Sequence, residues 1–452
     1  MKLSIPQVEI KDDEGFSPAK DIFERKSFGE RLANLIESSN QNLVIGLDAP
    51  WGEGKTTFIK MWKGYVEYRR ENATTNLHKM RCIYYDAFSN DYQKDTFLAI
   101  VSEIYTLIKD ESNDDKRRFK EKLIKTAKTL VRGGLKIGIR GATAGLLDET
   151  IVDSFKADIS SLIADQADSI IEEQLKKVID DKNTIQEFKI CLKEYAKKEG
   201  NGAPIIFIID ELDRCRPDFA IDIIEQIKHL FSVDGITFLI VTNRQQMEDS
   251  IKARYGADIN ATNYLHKFIN IWLRLPRTID YNVNNFGDKY FRHIIGLMYN
   301  ENEKAVNSEA KKILSELIKY YNPSFREIEK IATYYALINN LVMNNLMTNY
   351  QSLYALMCYL KATNPMTLED IINKRINFDG LLKKLNLTNI PKIAELSNLY
   401  YLTKVMEYDF AEKERKMEMI TNKEVVNEHS NTEPLSIITS LYSWLNGISY
   451  PY

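Results

Sequence analysis

The chain has 452 residues, with 61 Lys and Arg against 64 Asp and Glu, a net charge of −3, 44% hydrophobic and 28% charged residues. That length exceeds one compact core and points to two or three domains, and the near-even charge excludes global steering to nucleic acid or an acidic surface. No apolar run approaches transmembrane length, the 4 cysteines (Cys82, Cys191, Cys215, Cys358) and 5 histidines show no metal or disulfide spacing, and no secretory leader is visible, so a reducing cytoplasm is the expected location.

Residues 1–20 read as a poorly structured lead-in. A helix is predicted from Asp21, where Phe23, Phe28, Leu32 and Ile36 recur at helical spacing. Arg25 and Lys26 lie where a bound base would pack, although exposed charges are the simpler expectation. Leu43, Val44, Ile45 and Leu47 then predict a strand covered on both faces. The loop Ala49-Pro-Trp-Gly-Glu-Gly-Lys-Thr56 follows. It fits the phosphate-binding pattern G-x-x-x-x-G-K-[ST], with Ala49 in place of the first glycine. A helix runs on from about Lys55, with Phe58, Ile59 and Trp62 as its apolar stripe.

Each loop residue type has a physical task. Gly52 and Gly54 let the main chain turn its N–H groups inward and let a phosphate approach with no Cβ in the way. The helix N-terminus adds partial positive charge. Lys55 is placed to reach the outer phosphates, and Thr56 offers a hydroxyl to Mg²⁺. The candidate nucleotide-binding residues are Trp51, Gly52, Glu53, Gly54, Lys55, Thr56 and Thr57.

A second strand is predicted from Arg81, ending in a polar and aromatic turn by Tyr92, then a helix around Asp95 to Leu107. Residues 110–200 read as a large helical insertion. Lys116 to Arg140 carries ten basic residues and one acid, Glu121, whereas Leu147 to Asp181 is rich in Asp and Glu with an apolar stripe. A hairpin of opposed arms accounts for this pattern. A basic element on an anionic membrane surface or against nucleic acid stays open through 116–140; Lys136 and Arg140 argue against a membrane-spanning helix.

Ile205 to Ile209 is an unbroken β-branched and aromatic run ending in Asp210 and Glu211. Ligands of open α/β sheets bind at the carboxyl ends of the strands. Asp210 is suited to hold Mg²⁺, and Glu211 to polarise an attacking water. A third strand, Ile236 to Asn243, ends in polar residues. If it neighbours the Asp210 strand, Thr242 or Asn243 can meet that water or the γ-phosphate, or simply form a turn. A final strand ending at Pro276 closes the core.

From about Asp280 the chain reads as helices. Ser324 and Glu327 predict a capping box. Arg326 then stands in a first turn, where a cation opposes the helix dipole; a distant phosphate would explain the placement. The predicted organisation is a lead-in at 1–20, an α/β P-loop core with a parallel sheet at 21–276 carrying the insertion at 110–200, a helical lid at 277–345 and a C-terminal helical domain at 346–452.

The loop with Trp51 before Gly52, followed by Ile208-Ile-Asp-Glu-Leu-Asp-Arg-Cys-Arg-Pro217 and the helix Ile223-Ile-Glu-Gln-Ile-Lys228, resembles the KAP family of P-loop NTPases. Tyr85-Asp-Ala-Phe88 resembles the family's Asn-Ala-Trp element, with Asp86 and Phe88 as departures. Tyr264-Leu-His-Lys267 resembles its Tyr-Leu-Glu-Lys element. The resemblance covers about Asp21 to Tyr334. It implies a STAND/AAA-like core with a helical lid, ATP and Mg²⁺ as cofactors, and a homo-oligomer or an effector protein as partner. Members of that family usually carry a membrane-spanning insertion between the phosphate loop and the metal strand; the charged insertion here departs from that, so a soluble member is expected, and the resemblance implies bacterial anti-phage defence or phage exclusion. Catalysis would fall to Glu211, Lys55, Asn243 and Arg326, with Thr56 and Asp210 on the metal. Arg214 or Arg216 could reach across a subunit interface; Arg214 paired with Asp213, shaping the turn, is preferred.

Overall fold

The computed structural model describes residues 14–39, 42–73, 79–93, 95–107, 168–200, 202–277, 286–298, 309–341, 347–391, 397–426 and 436–447, with positions 10, 11, 117, 121, 123 and 124 besides. The basic arm 116–140, apart from four of those positions, and the acidic arm up to 167 lie outside the described residues. So do the membrane-surface and nucleic-acid expectations that rest on them.

Strands β1 (Leu43–Asp48), β2 (Arg81–Asp86), β3 (Ile205–Asp210), β4 (Ile236–Thr242) and β5 (Ile271–Arg274) form a parallel sheet in the order β2-β3-β4-β1-β5. The runs of Ile, Val and Phe form these strands because both faces are covered: β3 and β4 are buried at every position. Alternation sends successive side chains to two cores. Ile206, Ile208, Leu239 and Val241 pack with α1 (Lys26–Glu37) and α2 (Lys55–Glu71). Phe207, Ile209, Phe238 and Ile240 face α3 (Thr96–Leu107), α4 (Asp168–Gly200), α5 (Pro217–Gln226), α6 (Arg244–Tyr255) and α7 (Ala261–His266). Trp62 is fully buried between α2 and α1 and donates its indole N–H to Gly29 O at 2.8 Å.

Two expectations for the N-terminal segment change. Helix α1 begins at Lys26 rather than Asp21, because the Asp21 carboxylate accepts from Arg25 N (2.8 Å) and Lys26 N (2.9 Å) and so caps the helix from outside it. The end of the lead-in is also packed rather than loose: Phe16 lies against Phe58 and Tyr65, with ring centroids 5.7 and 5.9 Å apart.

The elements after β5 are all helices among the described residues: α8 (Phe286–Met298), α9 (Glu309–Tyr321), α10 (Phe325–Leu341), α11 (Thr348–Thr363), α12 (Pro365–Ile372), α13 (Phe378–Lys384), α14 (Ser397–Phe410), α15 (Lys413–Thr421) and α16 (Ile437–Gly447). One hydrophobic core runs from Phe291 in α8 to Leu441 in α16. Packing is therefore continuous across position 345, and α11, buried nearly all round, is its centre. The capping box at the start of α10 forms as expected: Ser324 N donates to Glu327 Oε2 at 2.7 Å, and Glu327 N to Ser324 Oγ at 3.3 Å.

Candidate functional site

The carboxyl ends of β1 and β3 stand two strands apart, with β4 between them. A cleft of about 270 Å³ opens above them, closed on its other sides by residues 20–25 and by α8 and α10. Gly52 (φ +81°) and Gly54 (φ +73°) occupy the left-handed region, where a side chain is strained. A Cβ on Gly52 would also come within 2.7 Å of Arg326 Cβ. Ala49 needs no such freedom, since its φ is not positive. It is buried, and its N–H donates to Thr242 O at 3.2 Å. The missing first glycine is thus accommodated as a buried strand-end residue.

Gly54 caps α2, so Lys55, Thr56 and Thr57 form its first turn. Lys55 Nζ donates to Ala49 O at 2.6 Å and lies 3.8 Å from Asp213. Burial holds its ammonium below the ordinary range, opposed by Asp213, Asp210 and Asp48. Trp51 is partly exposed, and its indole N–H donates to the Asp213 carboxylate. Glu53 commits its side chain to a forked ion pair with Arg277. What Glu53 can offer a phosphate is its main-chain N–H.

Asp210 is completely buried at the end of β3. It accepts from Tyr84 Oη at 3.0 Å and from Glu211 N at 2.8 Å. Burial pushes its carboxyl up to about 6, against the hydrogen bonds from Thr56, Glu211 N and Tyr84. Glu211 adopts φ +59°, an unusual conformation for a non-glycine residue and one that clusters at functional sites. Its Oε1 accepts from Thr56 Oγ1 at 3.4 Å and pairs with Arg214 at 2.9 Å. Burial raises the Glu211 carboxyl too, with Arg214 opposing. The hydroxyl of Thr56 and two carboxylates therefore converge at the start of α2. Among the described residues no group of three or more His, Cys, Asp or Glu is placed to hold a metal. The oxygen donors at Thr56 and Asp210 suit Mg²⁺, which retains waters and takes further ligands from phosphates.

The helical side contributes Arg326, exposed in the first turn of α10 and without an ion pair among the described residues. Phe23 stacks on Phe325 with centroids 4.2 Å apart and planes 8° apart, and Tyr290 completes the aromatic wall. Arg25 is buried rather than exposed, which overturns the simpler expectation. Its Nη1 donates to Glu53 O at 3.0 Å, its Nε to Pro276 O at 2.8 Å, and its Nη2 has no hydrogen-bond partner among the described residues. Lys26 is exposed as expected.

The structure thus gathers Trp51, Gly52, Glu53, Gly54, Lys55, Thr56, Thr57, Asp210, Glu211 and Arg326 around one cleft. Strand β4 does neighbour the Asp210 strand, yet Asn243 is outside that lining. It caps α6, its Oδ1 accepting from Gln245 N at 3.1 Å. Arg214 pairs with Glu211 and not with Asp213: the short turn Leu212–Arg214 sets residues 211 and 214 side by side and turns Asp213 inward to Trp51. Arg216 is engaged by Asp91 at 2.8 Å. Sequence reading did not find Tyr84, Asp213, Arg277 or the aromatic wall. Only Asp213 carried a signal, as the third acid in Asp210-Glu-Leu-Asp; the others depend on pairing between distant segments.

A family model described as the KAP family P-loop domain matches residues 25–343. No curated protein matches the chain. Among solved structures, the ORC2 protein of Aeropyrum pernix, in ADPNP–ADP complexes, aligns over 94% of this chain and 93% of that one, at 12% identity and a TM-score of 0.36. That similarity is too weak to say anything of the site. The family match spans well over half of the chain and takes in the loop, all five strands, both acids and Arg326, so the chain belongs to the KAP family of P-loop domains.

Proposed function

We propose that the protein binds ATP with Mg²⁺ and hydrolyses it, coupling the reaction to a conformational or oligomeric switch of its helical body. One observation carries the reading: Lys55, Thr56, Asp210 and Glu211 converge at the loop while Arg326 reaches the same cleft from α10. Main-chain N–H groups of the loop and Lys55 hold the phosphates. Thr56 and Asp210 would hold Mg²⁺, which when bound neutralises phosphate charge. Glu211 orients and deprotonates water, and Arg326 meets charge on the transferred phosphoryl group. Positioning and charge neutralisation are most of what phosphoryl transfer requires. The Glu211–Arg214 ion pair favours a second reading, a slowly hydrolysing ATP sensor that recruits an effector, because that pair occupies the proposed base.

ATP affinity by calorimetry tests the binding step; Lys55→Ala should abolish it, and unchanged affinity would refute the assignment. Light scattering with and without ATP tests the switch, which fails if neither mass nor hydrodynamic radius changes. The KAP resemblance alone suggests the setting, bacterial defence against phage. Equal plaque counts on cells expressing the wild type or Lys55→Ala would contradict it.

A further inference from the structure

Arg277 stands where β5 hands over to the helical body. Its Nε donates to Glu53 Oε2 at 2.8 Å and its Nη2 to Glu53 Oε1. Its Nη1 donates to Asn322 Oδ1 at 2.6 Å and Asn322 O at 3.3 Å. Both partners are strategically placed. Glu53 is a phosphate-loop residue whose side chain is 4% exposed. Asn322, at φ +48°, ends α9 just before the Ser324 capping box that starts α10. Arg326 follows in that first turn, and its Cβ lies 2.7 Å from where a Gly52 Cβ would be. One guanidinium therefore grips both sides of the contact between the loop and α10.

We infer that Arg277 is a positioning residue: it holds the loop through Glu53 and the start of α10 through Asn322, and so fixes Arg326 relative to the phosphates. A forked guanidinium–carboxylate pair sets orientation as well as distance. Lysine cannot reproduce it, because an ammonium is a point charge without the planar fork. The inference rests on the hydrolytic reading proposed above.

The test is a double-mutant cycle between Arg277 and Arg326, measured in full-length protein as kcat for ATP and as affinity for a non-hydrolysable ATP analogue. Arg277→Gln and Arg326→Ala should each lower kcat about 10- to 100-fold, the scale of a reacting group misplaced by about 1 Å. Together they should lower kcat no further than the worse single change. Multiplied losses, or no loss in Arg277→Gln, overturn the inference. If the wild type does not turn over ATP, the hydrolytic reading fails, and non-additive analogue affinities still decide the coupling. Arg277→Gln leaves the buried Glu53 carboxylate without its forked partner, with Arg25 still nearby, and can impair folding. Glu53→Gln with Arg277→Gln removes both charges, so thermal stability should recover while kcat stays low. Recovery of both would mean a merely structural ion pair. Arg277→Lys, which keeps the charge and loses the fork, should fold and still reduce kcat.

Discussion

Asp210→Asn should make the fold more stable while removing the proposed metal ligand. Asp210 is completely buried, and burial raises its carboxyl from an ordinary 3.8 to about 6. The folded state therefore binds a proton more tightly than the unfolded chain between those values. The stability of the neutral form is fully present below about pH 4 and is lost as pH rises towards 6. Above that the penalty is constant. At about 1.4 kcal/mol for each pH unit it comes to about 3 kcal/mol. Asparagine is neutral throughout; its Oδ1 can accept from Glu211 N, while its amide N–H replaces the oxygen that accepted from Tyr84 and can donate to that hydroxyl instead. Urea denaturation in EDTA should find Asp210→Asn more stable than the wild type by up to about 3 kcal/mol at pH 7.5, with no gain at pH 4. A mutant no more stable at pH 7.5, or equally stabilised at both pH values, would refute the argument that the site holds a desolvated charge.

Three further substitutions probe the loop and its support. Gly52→Ala places a side chain at φ +81° and against Arg326; it should cost about 1–2 kcal/mol in the backbone alone and weaken ATP binding measured by calorimetry. Trp62→Ala removes the fully buried ring between α1 and α2 and should cost about 3–5 kcal/mol in urea denaturation. Trp51→Phe keeps the ring and loses the hydrogen bond to Asp213. ATP affinity should fall with little change in denaturation midpoint, and unchanged affinity would show that bond to be irrelevant to the loop.

What could be read in the sequence was local. The loop needs Gly52, Gly54 and Lys55 at fixed spacing, and β3 needs an unbroken apolar run before its acids, so both declare themselves in a few residues. The Ser324 capping box did the same for α10, and with it the odd placement of Arg326. Contacts between distant segments were not legible. Arg25 reads as one more surface charge until the fold brings Glu53 O and Pro276 O to it, positions 28 and 251 residues away. Arg277 follows a strand with no motif around it and gains meaning from Glu53, Asn322 and the Phe325 ring it stands over. Asn243 shows the converse. A polar residue at a strand end suits a water contact and a helix cap equally, and the structure uses its Oδ1 for the cap. The resemblance to a family supplied Trp51, whose partner Asp213 then follows from the turn after β3.

The most direct test of the account is ATP turnover by the wild type and by Glu211→Gln, with affinity for a non-hydrolysable analogue measured on both. The account predicts that the two bind alike, because Glu211 acts on water and not on the nucleotide, and that turnover by Glu211→Gln falls about 100-fold or more, within the range expected for loss of a general base. Equal hydrolysis by the two proteins would contradict it.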